Sequence, residues 1–231
     1  MKLSIVIPAH NEEENIREVV QRIEQVVDIP HELVIVNDHS TDKTGVFLQE
    51  LKGKYQNITV VENTLAAGFA NAVKAGFSHT QHEVIIPIMA DLCDDLSTLR
   101  PMFEKICQGY DVVCGARYIK GGSRVGGSKL KGFFSCWGGR TLHYLMGIPT
   151  TDISNAFKMY RKKVIDSIPI ESTGFEISME LPLKAFILGY KITEVPTVWR
   201  ERVKGQSSFK IFKLLPRYLK LYLRALVGRL R

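Results

Sequence analysis

From its start the chain alternates short continuous apolar runs with longer segments whose apolar residues recur every three or four positions. Leu3 to Ile7 is a run of the first kind. From about Glu12 the apolar positions are Ile16, Val19, Val20, Ile23, Val26 and Val27, the spacing of one face of a helix. The pattern then repeats. Leu33 to Val36 predicts a buried strand ending at Asn37-Asp38, and Ser40-Thr41-Asp42 offers capping chemistry for a second helix. Ile58 to Val61 predicts a third strand, Ala70 to Phe77 a small-residue helix after Gly68, and Val84 to Ile88 a fourth strand ending at Met89-Ala90-Asp91. A helix over Ser97 to Cys107 and a strand over Asp111 to Gly115 follow.

Apolar strands separated by helices predict a mostly parallel, Rossmann-like central sheet with helices on both faces. Such sheets collect ligands at the carboxyl ends of their strands, where Pro8, Asp38 and Asp91 should meet. The period breaks at Lys120 to Lys129, a glycine-rich basic stretch expected to be a mobile loop. Helical signal resumes to about Met146, followed by a strand near Asn155 to Tyr160, a helix near Glu176 to Leu188 and a strand near Lys191 to Trp199. The organisation expected is a globular domain over 1–208 and a helical tail over 209–231. After Pro216 a helix places Leu219, Tyr222, Leu223, Leu226, Val227 and Leu230 on one side and Arg217, Lys220, Arg224 and Arg231 on the other, a pattern shared by interfacial helices and helices packed on their own domain.

Composition narrows the partners. The 31 Lys and Arg against 24 Asp and Glu give a formal charge of +7, which favours an anionic partner. No basic recognition helix or RNA-stacking motif accompanies that charge, so nucleic acid is not expected. The four cysteines show no metal or secretory spacing and read as free thiols. The first residues read as a strand, not a targeting segment, and no stretch reaches the roughly 20 apolar residues of a spanning helix.

Three motifs follow strands: Pro8-Ala9-His10-Asn11-Glu12-Glu13, Asn37-Asp38-His39-Ser40-Thr41-Asp42, and Met89-Ala90-Asp91-Leu92-Cys93-Asp94-Asp95. The first two suit either helix capping or ribose binding. The third could bring oxygens to a hard divalent ion or form a solvated acidic turn. Arg117, Arg124, Lys129, Lys131, Arg202 and Lys204 cluster around glycine-rich segments, as phosphate ligands do.

Together with Gly115-Ala116-Arg117-Tyr118, Asp152 to Phe157, Gly174-Phe175-Glu176 and Arg202 to Ser208, these motifs resemble inverting glycosyltransferase family 2, the GT-A fold, and within it the dolichyl-phosphate mannosyltransferase branch. The resemblance implies transfer of a hexose, with mannose from GDP-mannose favoured and a UDP-sugar as the alternative, to a polyprenyl phosphate. It implies that Pro8, Ala9 and Glu12 line the nucleoside pocket with Asp38. Arg117, Ser123, Lys131, Arg202 and Lys204 would gather the donor pyrophosphate and acceptor phosphate. Asp91 would bind Mg²⁺ or Mn²⁺, together with Asp94 or Asp95. Two positions depart from the family pattern: the first Asp of its Asp-x-Asp motif is Met89 here, and the Gln that often follows two positions later is Cys93.

The expected location is the cytoplasmic face of a membrane, held peripherally. Relatives add transmembrane helices at the carboxyl end, so docking here is expected through the tail or a membrane-protein partner. A sugar-hydroxyl acceptor is the competing reading. It needs a carboxylate base, for which Asp152 and Glu176 are the candidates. A non-catalytic nucleotide-sugar-binding relative, suggested by Met89, is the third.

Overall fold

The computed structural model describes residues 1–202, 204 and 211–228. The chain forms β1 (Leu3–Ala9), α1 (Ile16–Val26), β2 (His31–Asn37), α2 (Thr44–Lys54), β3 (Ile58–Glu62), α3 (Phe69–Ser78) and β4 (Val84–Pro87). A single 3-10 turn, Leu96–Thr98, leads into α4 (Leu99–Cys107) and β5 (Val112–Ala116). Then come β6 (Ser123–Val125), α5 (Lys129–Met146), β7 (Lys158–Arg161), α6 (Lys162–Ser167), α7 (Ile177–Ile187), β8 (Ile192–Pro196), β9 (Val198–Arg200) and α8 (Ile211–Leu226).

Seven strands form one sheet in the order β3-β2-β1-β4-β7-β5-β8. All its pairings are parallel except the two made by β7, which runs antiparallel between β4 and β5. Alternate residues of the inner strands enter two separate cores. Leu3, Ile5, Ile7, Leu33 and Ile35 face α1, α2 and α4, while Val6, Val34 and Val36 face α3 and α7. Burial on both faces explains why β1 and β2 read as unbroken apolar runs. Each such side chain contributes about 1.5–3 kcal/mol by leaving water. On the second face α3 lies close against β1, since a Cβ at Gly76 would meet Val6 Cγ1 at 2.3 Å.

The carboxyl-terminal third departs from the sequence expectation in three places. The apolar stretch 191–199 is two strands, β8 in the main sheet and β9 in a separate two-stranded ribbon with β6. The expected mobile loop therefore contains a strand, hidden in the sequence because three residues among glycines carry no periodicity. The tail helix starts at Ile211, with Pro216 inside it. Leu221 and Ala225 of α8 are buried in a third core with Leu142 of α5 and Met179 and Leu183 of α7. Leu215, Leu219, Leu223 and Leu226 remain exposed along the helix, so α8 both packs on the body and presents an apolar stripe. Leu230, Arg231 and the stretch Gly205 to Ser208 lie outside the described residues.

α5 begins at Ser128, whose hydroxyl accepts from Lys131 N, and ends at Gly147, left-handed at φ 72°. At Gly139 it approaches the backbone so closely that a Cβ would lie 2.2 Å from Thr151 O.

Candidate active site

The ends of β1 and β2 are clasped together by their own motifs. Ser40 Oγ accepts from Asn11 N at 3.1 Å, Thr44 Oγ1 from Glu12 N at 2.9 Å and Asp42 from Glu13 N at 3.1 Å. In return Asn11 Oδ1 accepts from Thr41 N and Glu13 from Lys43 N. Asn11 and His39 hold left-handed backbone conformations at φ 52° and 55° within the clasp. Asp38 is buried and gives both oxygens to the protein, accepting from Asn63 Nδ2 at 2.6 Å and Gly68 N at 2.9 Å. Asp38 thereby braces the loop after β3, with one protein donor on each carboxylate oxygen.

Beyond β4 the chain runs under β9. Cys93 O accepts from Arg200 N at 2.9 Å, and Asp94 bridges to Trp199. Asp91 Oδ1 accepts from Cys93 N at 3.1 Å. Burial and the neighbouring Asp91 push the Asp94 carboxyl up to about 7. Glu12 and Arg202 pair at 2.7 Å. Burial raises the Glu12 pKa despite that partner.

Arg117 is fixed from below by the fully buried Asp152, with Nε to Oδ2 and Nη2 to Oδ1 both at 2.8 Å. Burial opposes its charge, but Asp152 holds the guanidinium above its ordinary pKa. Arg117 Nη2 also donates to Ser135 Oγ, which lies 2.6 Å from Ser154 Oγ. The 153–155 segment is held by buried Lys158, whose Nζ donates to Ile153 O at 2.8 Å, Ser178 O at 3.1 Å and Asn155 O. Burial pushes that lysine down to about 8.

These groups form the inner end of a cavity of about 520 Å³. Glu12, Asp91, Asp94, Arg117, Lys131 and Arg202 all line it, so the structure brings together six of the predicted site residues. Pro8, Ala9 and Asp38 lie at the strand ends outside the lining, and Ser123 lies in β6, its N–H donating to Thr197 O. Lys204 is exposed and turned to Glu18 at 3.5 Å, away from the cavity.

The outer half of the cavity was missed by motif reasoning. It is apolar and runs between α5 and α8, lined by Phe134, Trp137, Leu214, Leu215 and Leu219, with Tyr218 and Tyr222 along the wall. Tyr218 OH donates to Phe175 O at 2.8 Å, and Tyr222 OH to Thr141 Oγ1 at 3.0 Å, so the tail is tied to the segment leading into α7 and to α5. A signal was available in Phe133, Phe134 and Trp137, large apolar residues that α5 leaves exposed.

The donor set fits a divalent ion poorly. Asp95 accepts from Ser97 N and Oγ, capping the 3-10 turn, and does not line the cavity. Met89 and Cys93 present sulfur, whereas Mg²⁺ and Mn²⁺ prefer oxygen. Among the described residues no three His, Cys, Asp or Glu side chains gather as a metal-holding group. The expected trio Asp91, Asp94 and Asp95 is not assembled.

Comparison with known proteins agrees with this architecture. Glucosyl-3-phosphoglycerate synthase from Mycobacterium tuberculosis, solved with Mn²⁺, UDP and glucosyl-3-phosphoglycerate, superposes with a TM-score of 0.69 at 19% identity, covering 99% of this chain and 79% of that one. The same enzyme with Mg²⁺ and UDP gives the same score. The likeness establishes the GT-A fold. In sequence, the chain is 31% identical over 215 residues to a dolichol-phosphate mannosyltransferase of Pyrococcus furiosus, covering 91% of this chain and 60% of that protein's length. A polyprenol monophosphomannose synthase of Mycolicibacterium smegmatis is 28% identical, with 88% of this chain and 79% of that protein covered. A family model described as Glycosyl transferase family 2 matches residues 4–168. With that match and its motifs on the strand ends of a GT-A sheet, the chain belongs to glycosyl transferase family 2.

Proposed function

We propose that the chain transfers a hexose, mannose in the favoured case, from a nucleotide sugar to a polyprenyl phosphate at a membrane surface. The observation that carries this reading is the two-part cavity, with a polar end at Asp91, Arg117, Lys131 and Arg202 that opens into an apolar slot between α5 and α8. Such a space suits an acceptor with an anionic head and a hydrocarbon chain. The names of the Pyrococcus and Mycolicibacterium relatives support the same acceptor class and mannose as the sugar. GDP-mannose is the favoured donor and a UDP-sugar the alternative.

The chemistry asks for alignment and charge, not for a strong base. A lipid phosphate is already ionised near neutrality. One of its oxygens attacks the anomeric carbon from the face opposite the leaving group. The new carbon–oxygen bond forms as the bond to the nucleoside diphosphate breaks, which inverts the centre, and no proton changes hands. In this reading Arg117, fixed by Asp152, and Lys131 hold the acceptor phosphate, while Arg202 stabilises the charge that develops on the departing diphosphate.

The two carboxylates named as bases for a hydroxyl acceptor sit away from the cavity wall. Asp152 is fully buried and bound to Arg117, and Glu176 is buried, accepting from the N–H groups of Thr173 and Gly174. Neither carboxylate lines the cavity.

Membrane contact is assigned to α8 together with α5. No helix among the described residues is long and apolar enough to cross a membrane. Both helices lack acidic residues, and both expose large apolar side chains beside lysines and arginines. A basic, apolar face suits peripheral binding to an anionic cytoplasmic leaflet.

The test is transfer of labelled sugar from GDP- and UDP-sugars to polyprenyl phosphate and, in parallel, to free sugars. Labelled lipid is expected, and Trp137→Ala with Leu219→Ala should raise the KM for the lipid about tenfold, in proportion to the apolar contact removed. Product on free sugars alone would sink the proposal.

A further inference from the structure

The two departures from the family's metal motif fall where they change chemistry. Met89, Asp91 and Cys93 alternate along one short segment, and all three line the cavity. That segment is pinned by the Arg200 N to Cys93 O bond and the Asp94 bridge to Trp199, so its residues cannot easily exchange places. A thioether, one carboxylate and a thiol therefore occupy positions that the family pattern fills with three oxygen donors.

Of the neighbouring carboxylates only Asp94 adds an oxygen donor at the cavity wall, and the others are engaged. Glu12 is paired to Arg202, Glu201 accepts from Gly127 N at 2.9 Å, and Asp95 caps the 3-10 turn. Positive charge is abundant at the same place. Arg202 acts electrostatically on both Asp91 and Cys93, and Arg117 acts on Asp94.

We propose that this enzyme has a relaxed divalent-metal requirement: Arg202 takes over most of the neutralisation of the leaving diphosphate, and a cation would be held by no more of the protein than Asp91 and Asp94, with the diphosphate itself. The proposal rests on the glycosyltransferase reading of the cavity. Its distinctive content is that sulfur at positions 89 and 93 moves the charge-stabilising task from a metal to a guanidinium. A guanidinium donates directional hydrogen bonds to phosphate oxygens and does not need to shed water ligands first.

Mn²⁺ binding followed by electron paramagnetic resonance, with and without GDP or UDP, tests this without any acceptor. The wild type should hold no Mn²⁺ alone and bind it only with nucleotide. Met89→Asp with Cys93→Gln should bind it about tenfold more tightly, since two oxygen donors replace two sulfurs. Calorimetry on the wild type alone gives a second reading that does not depend on how the variant folds. Nucleotide affinity should improve less than about threefold on adding Mn²⁺, and a tenfold gain overturns the proposal. In the transfer assay, wild-type activity should largely survive a chelator, and complete loss overturns it equally. If no donor supports transfer, the acceptor reading fails while the binding measurements still decide the metal question.

Discussion

Asp38 and Arg117 both follow strands of the main sheet, yet the regions around them use polar groups in opposite ways. Around Asp38 the motif residues bind one another: Ser40, Thr44, Asp42 and Asn11 clasp β1 to β2, and Asp38 braces the loop at Gly68. Around Arg117 a buried carboxylate and Ser135 hold the guanidinium at the wall of an open cavity whose outer half is apolar. The comparison separates two reasons for a motif to exist. The first region is recognisable because it builds a rigid edge, the second because it aims charge into a space.

The largest expected effect tests the second region. Arg117→Ala leaves Asp152 buried without its cation and should cost about 3–5 kcal/mol of stability in urea unfolding. Arg117→Lys should recover only part of it, since a lysine cannot form the paired bonds to both carboxylate oxygens. A loss below about 1 kcal/mol would mean that Asp152 is not held by this cation and would remove the contrast. Next comes Asp38→Ala, which strands the donors on Asn63 and Gly68 and should cost about 2–3 kcal/mol. Asp38→Asn should cost less and keep most nucleotide affinity in calorimetry. If it abolishes nucleotide binding with stability intact, Asp38 is a ligand and not a brace.

The smallest effect concerns the tail. Hydrogen bonds from Lys184 and Arg224 pull the Glu171 carboxyl down to about 2 from an ordinary 4.5. A carboxylate lowered in the folded state stabilises it above pH 4.5, and that contribution fades as pH falls toward 2. The side chain is half exposed, so the contribution is a few tenths of a kcal/mol. Thermal unfolding between pH 6 and 2.5 should show a steeper acid decline in the wild type than in Glu171→Gln. Identical slopes would show that the Glu171 pairs add nothing to the hold that Leu221, Ala225, Tyr218 and Tyr222 have on α8.

The same contrast explains what the sequence made legible. β1, β2 and β4 are buried on two faces, so their apolar runs are continuous and their ends mark the site edge. Glu12, Asp91, Arg117 and Arg202 follow from those ends and from the family pattern. β6, β9 and α6 are three to six residues long and exist through tertiary pairing, which leaves no period to read. That Asp38 braces a loop while Arg117 faces the cavity depends on Asn63 and Asp152, partners 25 and 35 positions away. No local pattern announces such pairs. The apolar slot was only half legible for a related reason: the aromatic residues of α5 stand in the sequence, but the slot belongs to two helices that meet only in the folded chain.

Gly139 sets how closely α5 approaches the Thr151-Asp152 backbone. A single methyl there would collide with Thr151 O at 2.2 Å and lever α5 away from the turn that carries Asp152. Gly139 also lines the cavity, so one missing carbon both seats α5 on the segment that holds the counter-ion of Arg117 and leaves that stretch of wall bare.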